Sequence, residues 1–351
     1  MQENAANPKV SVIIPCYKTE QYLPKCISSL MNQTLDSYEL IFVNDGSPDH
    51  CIDILNGWQS RYPERIVIID KKNEGVWKAR MDGIHAAHGK YIAFLDSDDS
   101  AEPDFLEKLY SVAEANAADI AVGGFSRIDA EDGRVLSREL CDKRSTFSIA
   151  EDPGRLVELN GALWNKLFRS QILKSIEDIE TPPTVLEDLL FHWLAYLNTD
   201  GTVAFVPESL VNYSVHVGSA IQTIKPQLID STYEAFREVK ERYTACNAPK
   251  AKQEALDAAA FLHLGVSFNY RLATSPDCNL KATIQMCTDF LNKNFPTWHD
   301  SPYINGQYAR THGKTFKRLL TVSRFYKLGL LPAFLSVYSA VITHFGIDIK
   351  W

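Results

Sequence analysis

The chain has 351 residues, 45% of them apolar, with a formal net charge of −8, enough for one large domain or two around a real core and not the composition of a disordered chain. The charge is uneven: from Ser301 to Trp351, Asp348 stands alone against Arg310, Lys314, Lys317, Arg318, Arg324, Lys327 and Lys350, leaving a tail of about +6 on a body of about −14. An acidic body argues against nucleic acid as a partner, and a basic tail points to an anionic surface.

Val10–Ile14 is a β-branched run broken only by Ser11, the signature of a strand covered on both faces. Leu23, Ile27, Leu30 and Met31 recur at helical spacing within Glu20–Asn32. Leu40–Val43 predicts a second buried strand, ending at the turn cluster Asn44-Asp45-Gly46-Ser47, and Pro48–Tyr62 a helix. Ile66–Ile69 follows as a third strand, then a helix over Gly75–His88. Tyr91–Leu95 is the fourth strand, Pro103 to Asn116 a helix, and Ile120–Val122 opens a fifth strand. Regular strand–helix alternation predicts βαβ units and a parallel sheet, with right-handed crossovers placing every strand C-terminus on one edge.

Beyond Ala130 the pattern loosens. Ala130–Pro153 is polar and reads as a loop or excursion, Trp164–Phe168 and Glu187–Leu197 are separate apolar segments, and from Pro226 onward the chain reads as helical. Leu328 to Ile347 holds no Asp, Glu, Lys or Arg and approaches the roughly 20 residues that span a bilayer, but Ser336, Ser339, Thr343 and His344 weaken that reading. The basic, aromatic stretch upstream of it favours lipid-surface contact; packing on its own core or in an oligomer is the alternative. Seven cysteines form no C-x-x-C pair and are odd in number, which predicts neither a zinc site nor a disulfide framework and fits a reduced, cytoplasmic setting. The N-terminal residues lack the basic and apolar regions of a signal peptide.

The chemistry concentrates at Tyr91-Ile-Ala-Phe-Leu-Asp-Ser-Asp-Asp99. An apolar strand ends in Asp96, Asp98 and Asp99, whose mutual repulsion a divalent cation would remove. Hard oxygen ligands suit Mg²⁺ or Mn²⁺, which commonly bridge a carboxylate and a diphosphate, and ligands of open α/β sheets bind at the strand C-termini. The nine residues alone are equally compatible with a solvated acidic turn. Asn73, Gly75 and Arg80 frame a strand-to-helix turn suited to an anion. Glu187-Asp188 opens a helix, where acids are often mere dipole complements.

Taken in order, Val10-Ser-Val-Ile-Ile-Pro-Cys-Tyr17, Leu40-Ile-Phe-Val-Asn-Asp-Gly-Ser-Pro-Asp49, Asn73-Glu-Gly75 with Ala79-Arg80, Phe94-Leu-Asp-Ser-Asp-Asp99, Trp164-Asn-Lys-Leu-Phe-Arg169 and Leu186-Glu-Asp188 resemble an inverting glycosyltransferase of family 2 with the GT-A fold, of the bacterial cell-surface glycan type. The resemblance covers roughly residues 9–220. It implies an α/β fold with a mostly parallel, Rossmann-like sheet flanked by helices and a catalytic domain over 1–222; the residues beyond it read as a C-terminal helical extension, with a helical region over 223–300 and a basic, apolar segment over 301–351 that associates with a membrane or packs on the protein.

The same resemblance implies roles. Pro15, Tyr17, Glu20 and Asp45 would line a uridine pocket; Asn73, Gly75 and Arg80 would face the nucleotide-sugar, with Lys78 a weaker option. Asp96-Ser97-Asp98 matches the metal-binding D-x-D, with Asp98 on Mn²⁺ or Mg²⁺, Asp96 nearer the ribose or donor sugar, and Asp99 assisting the metal. Asp188 would be the catalytic base, oriented by Glu187. Tyr213–Ser219 resembles a later family segment richer in Arg, where His216 would hold the departing diphosphate; Trp164-Asn165-Lys166 would shape the acceptor side. The expected partners are a UDP-sugar donor, a glycan or lipid-linked acceptor and an anionic membrane surface at the inner face of the cell membrane. The oligomeric state is left open. A nucleotidyltransferase would show a Gly-rich loop where Pro15-Cys16-Tyr17-Lys18 stands, and a processive synthase would add long apolar spans and a Gln-x-x-Arg-Trp motif. A catalytically weak nucleotide-sugar-binding protein is the remaining alternative.

Overall fold

A computed structural model describes residues 7–183, 186–216, 229–273 and 279–345. The chain divides into two compact units, Met1–Glu151 with Gly161–Ser219, and Asp152–Asn160 with Ala220–Trp351.

The first unit is a mixed sheet with helices on its faces. Its strands are β1 (Val10–Cys16), β2 (Tyr38–Asp45), β3 (Ile66–Lys71), β4 (Tyr91–Phe94), β5 (Ser100–Ala101), β6 (Ile120–Asp129), β7 (Val135–Glu139), β8 (Phe147–Ser148), β9 (Lys166–Arg169) and β10 (Thr202–Val215). The path through the sheet is β3-β2-β1-β4-β9-β6-β10-β5, with β7 added on β6 and β8 on β10. Strands β1 to β4 run parallel, as the strand–helix alternation predicts, and the order reverses between β1 and β4. That reversal opens a crevice beyond the strand C-termini. It also gathers the chain after Cys16, Asp45 and Phe94 on one edge.

Helices α1 (Leu23–Met31), α2 (Cys51–Gln59), α3 (Val76–Ala86) and α4 (Phe105–Ala115) are the crossovers. Helix α1 buries Leu23, Cys26, Ile27 and Leu30, an i, i+3, i+4, i+7 stripe, and Pro24 sits in its first turn where no intrahelical donor is needed. Helices α5 (Ser170–Lys174) and α6 (Glu187–Leu197) complete the unit.

Two features of the sheet differ from the plain parallel pattern. The strand beside β4 is β9, antiparallel to both β4 and β6, so the strand opening at Ile120 does not adjoin the fourth. Four residues are too few to show a period, and nothing local announces their direction. Strand β10 is 14 residues long and was not anticipated, because Pro207 interrupts its pattern; the register shifts between Val206 and Ser209, where a bulge absorbs it. The polar stretch 130–153 likewise contains β7 and β8, which extend the sheet beyond the loop expected there.

The described part of the second unit is helical: α7 (Ile229–Ala245), α8 (Lys250–Ala260), a π-helical stretch over Phe261–Phe268, α9 (Asn269–Ala273), α10 (Leu280–Asn294), α11 (Gly306–Thr311), α12 (Lys314–Lys327) and α13 (Leu331–Phe345). The short helical turn Pro153–Glu158 joins it: Asp152 accepts from the Tyr308 hydroxyl at 2.6 Å and lies 2.9 Å from His312 Nε2. Among the described residues, no helix is long and apolar enough to cross a membrane.

Candidate active site

Two helices aim the charged groups. Trp77 on α3 stacks on Phe191 of α6 with ring centroids 4.0 Å apart, and its indole N–H donates to Asp178 at 2.9 Å. One turn along each helix, Arg80 meets Asp188. The aromatic pair, worth about 1 kcal/mol beyond its burial, therefore sets the register in which the ion pair forms. Arg80 is only 3% exposed. Its Nη1 donates to Asp188 Oδ1 and lies 3.8 Å from Glu187 Oε1, and its Nη2 donates to Asp96 Oδ1 at 3.3 Å. One guanidinium thus joins the end of β4 to the start of α6, with Arg80 and Asp188 108 positions apart in sequence. Burial works against its charge, but Asp188, Asp96 and Glu187 outweigh that and raise its pKa.

Burial pushes the Asp188 carboxyl up to about 7, with Arg80 opposing and Glu187 and Asp96 adding to the rise. The turn that carries it is held from behind. His192, one turn on, places Nδ1 2.6 Å from the Asp188 carbonyl. Lys166 is fully buried, donating to the Ala162 carbonyl at 2.6 Å and to Asn165 Oδ1 at 3.0 Å. Burial depresses the pKa of both Lys166 and His192. Leu186, just before the helix, sits at φ 59°, a left-handed conformation that costs a non-glycine residue about 1–2 kcal/mol.

The acidic cluster is built differently. Asp99 is buried and accepts from the Ser214 backbone N–H at 2.7 Å, while its Oδ2 has no partner. The Ser214 hydroxyl donates to the Asp98 carbonyl at 2.9 Å, tying the cluster to the end of β10. His216 Nε2 stands 3.4 Å from Asp98 Oδ2, its ring 4.7 Å from that of Tyr22. Burial, then the neighbouring Asp96, raises the pKa of Asp98; burial, then Asp96 and Asp98, raises that of Asp99 more strongly. Ser97 is buried between them. Among the described residues no three His, Cys, Asp or Glu converge to hold an ion unaided. Asp98 and His216 do supply a carboxylate oxygen and an imidazole nitrogen, a fitting partial set for a divalent cation that takes its other ligands from phosphate.

The remaining predicted residues lie around the ends of β1 and β2. Both oxygens of Asp45 accept backbone N–H groups, from Glu74 at 2.9 Å and Gly75 at 2.8 Å, closing the start of α3 onto β2. Each carboxylate oxygen keeps a lone pair for a further donor. Gly46, at φ 61°, lies against this loop: a Cβ there would come within 2.5 Å of the Asn73 nitrogen. Asn73 itself is exposed. Tyr17 is exposed beyond Pro15, with Lys18 Nζ 5.0 Å over its ring. Glu20 accepts from the His50 N–H at 2.8 Å. Asp49, not singled out from the sequence, binds the Glu20 N–H at 3.1 Å and the Ser47 hydroxyl; hydrogen bonds from Ser47 and Cys51 overcome its partial desolvation and hold it at about 2.

Trp164 stacks on Tyr213 at 5.3 Å with planes 10° apart, and Asn165 Nδ2 donates to the Gly123 carbonyl at 2.8 Å, so this motif joins β9 to β6 and β10. Val217, Gly218 and Ser219 of the expected segment lie outside the described residues. His192 was also missed from sequence; its spacing of four from Asp188 was the available signal.

The crevice of this open α/β sheet gathers an acid cluster, an arginine and a carboxyl whose pKa is raised, the kinds of group a transfer reaction uses. Comparison with known proteins sharpens that class. Residues 11–176 match the family model described as Glycosyl transferase family 2. The chain is 28% identical over 264 residues to the putative glycosyltransferase EpsH of Bacillus subtilis, covering 74% of this chain and 76% of that one. It is 34% identical over 196 residues to the poly(ribitol-phosphate) beta-glucosyltransferase of Bacillus spizizenii, covering 54% of this chain and 30% of that protein. In three dimensions it is similar to residues 1–349 of S. aureus TarS, solved in complex with UDP-GlcNAc, with a TM-score of 0.68, 20% identity and 92% of each chain covered. Fold and matches together support a glycosyltransferase with a family 2-like domain on an open α/β sheet.

Proposed function

We propose that the protein transfers a sugar from a UDP-sugar to a hydroxyl of a glycan or lipid-linked acceptor, with inversion, in a single displacement assisted by Mn²⁺ or Mg²⁺. The observation that carries this is the Arg80 bridge: it sets a half-buried carboxyl with a pKa near 7, Asp188, opposite the acidic end of β4.

Asp188 takes the proton of the acceptor hydroxyl, and its raised pKa suits a general base working near neutral pH. The freed oxygen attacks the anomeric carbon from the Asp188 side while UDP departs on the other, so an α-linked donor yields a β-glycoside. Arg80 fixes the carboxylate's orientation, with Asp96 steadying the guanidinium from the opposite side. His192 holds the backbone carbonyl behind the base. Asp98 and His216 are the residues that would hold the cation, with Asp99 behind them; when bound, it neutralises charge developing on the departing diphosphate. Asp45, Glu20, Pro15 and Tyr17 receive the uridine, Asn73 and Gly75 the phosphates and sugar, and Trp164 with Tyr213 walls the acceptor side. TarS was solved with UDP-GlcNAc at the same fold, which supports the donor class. The basic helix α12 supports a peripheral position at the inner face of the cell membrane.

The test is hydrolysis and transfer with a panel of UDP-sugars and Mn²⁺, with and without EDTA, measuring released UDP. Metal-dependent release from one sugar is expected. Failure of UDP itself to bind in the presence of metal would overturn the uridine assignment.

A further inference from the structure

Helix α13 lacks the usual outer surface of a soluble helix. A helix on a protein surface normally turns polar residues outward. Helix α13 buries Leu331, Leu335 and Tyr338, an i, i+4, i+7 stripe, and is anchored by contacts of Tyr270 with Phe334 at 6.0 Å and with Tyr338 at 4.7 Å. Its other face presents Leu330, Ala333, Val337 and Ala340, spaced i, i+3, i+7, i+10 and exposed. Val337 is 65% exposed, and no residue from Leu328 to Phe345 carries a charge.

The turn between the helices extends that face. Helix α12 ends at Gly329, φ 67°: Gly329 N–H donates to the Tyr326 carbonyl at 3.0 Å and Leu330 N–H to the Phe325 carbonyl at 2.9 Å. In this C-terminal motif the residue after the glycine normally folds its apolar side chain back onto the helix. Here Leu330 stays 48% exposed and Leu328 69% exposed. The turn is not loose: Phe325 stacks on Phe334 at 4.6 Å, and the Tyr326 hydroxyl donates to the Gly265 carbonyl at 2.7 Å. Two leucines are held outward on a rigid support.

Beside them lies positive charge. Lys314, Lys317, Arg324 and Lys327 are exposed on α12, and neither helix contains an acid; Lys327 reaches Asp300 at 3.3 Å. An uncharged apolar face next to a helix that carries cations and no acid of its own complements an anionic lipid surface in both of its layers.

We infer that the α12–α13 hairpin is the membrane-insertion element of this protein: Leu328, Leu330 and Val337 enter the acyl boundary of an anionic leaflet while Lys314, Lys317, Arg324 and Lys327 contact its headgroups. This deepens, and rests on, the peripheral position proposed above. It makes the acceptor's lipid-proximal end the part of the substrate that arrives by diffusion in two dimensions.

The experiment is co-sedimentation of the full chain with phosphatidylcholine vesicles, with and without phosphatidylglycerol, at low and high salt. Binding that requires phosphatidylglycerol and weakens with salt is expected. Leu328→Ser and Leu330→Ser each weaken it about tenfold, and Lys314→Glu or Lys317→Glu at least about fivefold. Leu330→Trp tightens binding, because indole favours the interface; misfolding cannot produce opposite signs at one position. If the native chain ignores anionic vesicles, both the peripheral position and the insertion element fall. If it binds and the Leu328→Ser/Leu330→Ser/Val337→Ser variant binds equally well, the insertion element alone falls. Conversion of a dimer to a monomer by that variant, with vesicle binding unchanged, overturns the inference in favour of a self-association surface.

Discussion

Two carboxylate sites lie a few residues of sheet edge apart and solve burial in opposite ways. Asp188 has a cation against it: Arg80 donates to it, opposing the neighbouring Glu187 and Asp96, and buried Lys166 stands close enough to interact electrostatically. The Asp98–Asp99 cluster is surrounded by acids, with His216 beside Asp98 and an orphaned oxygen on Asp99. Burial raises the pKa at both sites, but only the first has its compensating charge built into the protein. A carboxylate balanced by a fixed guanidinium can gain and lose a proton near neutrality without losing its place. A cluster of acids cannot stay ionised without an added cation. The difference is the ground for proposing proton transfer at one and ion binding at the other.

The sharpest way to break that contrast is to neutralise the first site. Asp188→Asn should lower kcat about a thousandfold while UDP binding, followed by calorimetry, stays near the native value. A parallel loss of nucleotide affinity would show that Asp188 serves the donor. Neutralising the second site should act on the other quantity. Asp98→Ala, or chelation by EDTA, should lower activity about a hundredfold and weaken UDP binding, and added Mn²⁺ should restore the chelated native enzyme but not the variant.

A smaller effect tests the built-in charge. The base works deprotonated, so kcat/KM should rise with pH through an apparent pKa near 7. Removing the cation that favours the ionised form moves this limb upward: Arg80→Gln should shift it by about one unit. An unmoved limb would mean that another group controls it. Smallest is the scaffold that brings the nucleotide loop to the same edge. Gly46→Ala must adopt a left-handed backbone and place a Cβ 2.5 Å from the Asn73 nitrogen, a cost of about 2 kcal/mol read as a lowered Tm, with the limb at pH 7 unchanged.

The parallel half of the sheet was legible because β1, β2 and β4 are predominantly apolar runs separated by amphipathic helices, and such runs have few ways to hide their surface. The candidate residues were legible because short motifs after each strand survive as strings. Strand β9 was not, since its four residues pair on both sides with partners far away in sequence. Nor was β10, whose proline and bulge break the period that identifies strands.

The amino-acid order thus determined which edge of the sheet would carry the chemistry and which residue types would stand there, because local periodicity and strand polarity are properties of the chain itself. Only the tertiary structure decided that Arg80 is spent on Asp188 and Asp96, that Asp45 closes a helix start, and that two leucines after α12 face outward. Charge pairing and burial depend on distances between segments a hundred residues apart, and no local pattern encodes those distances.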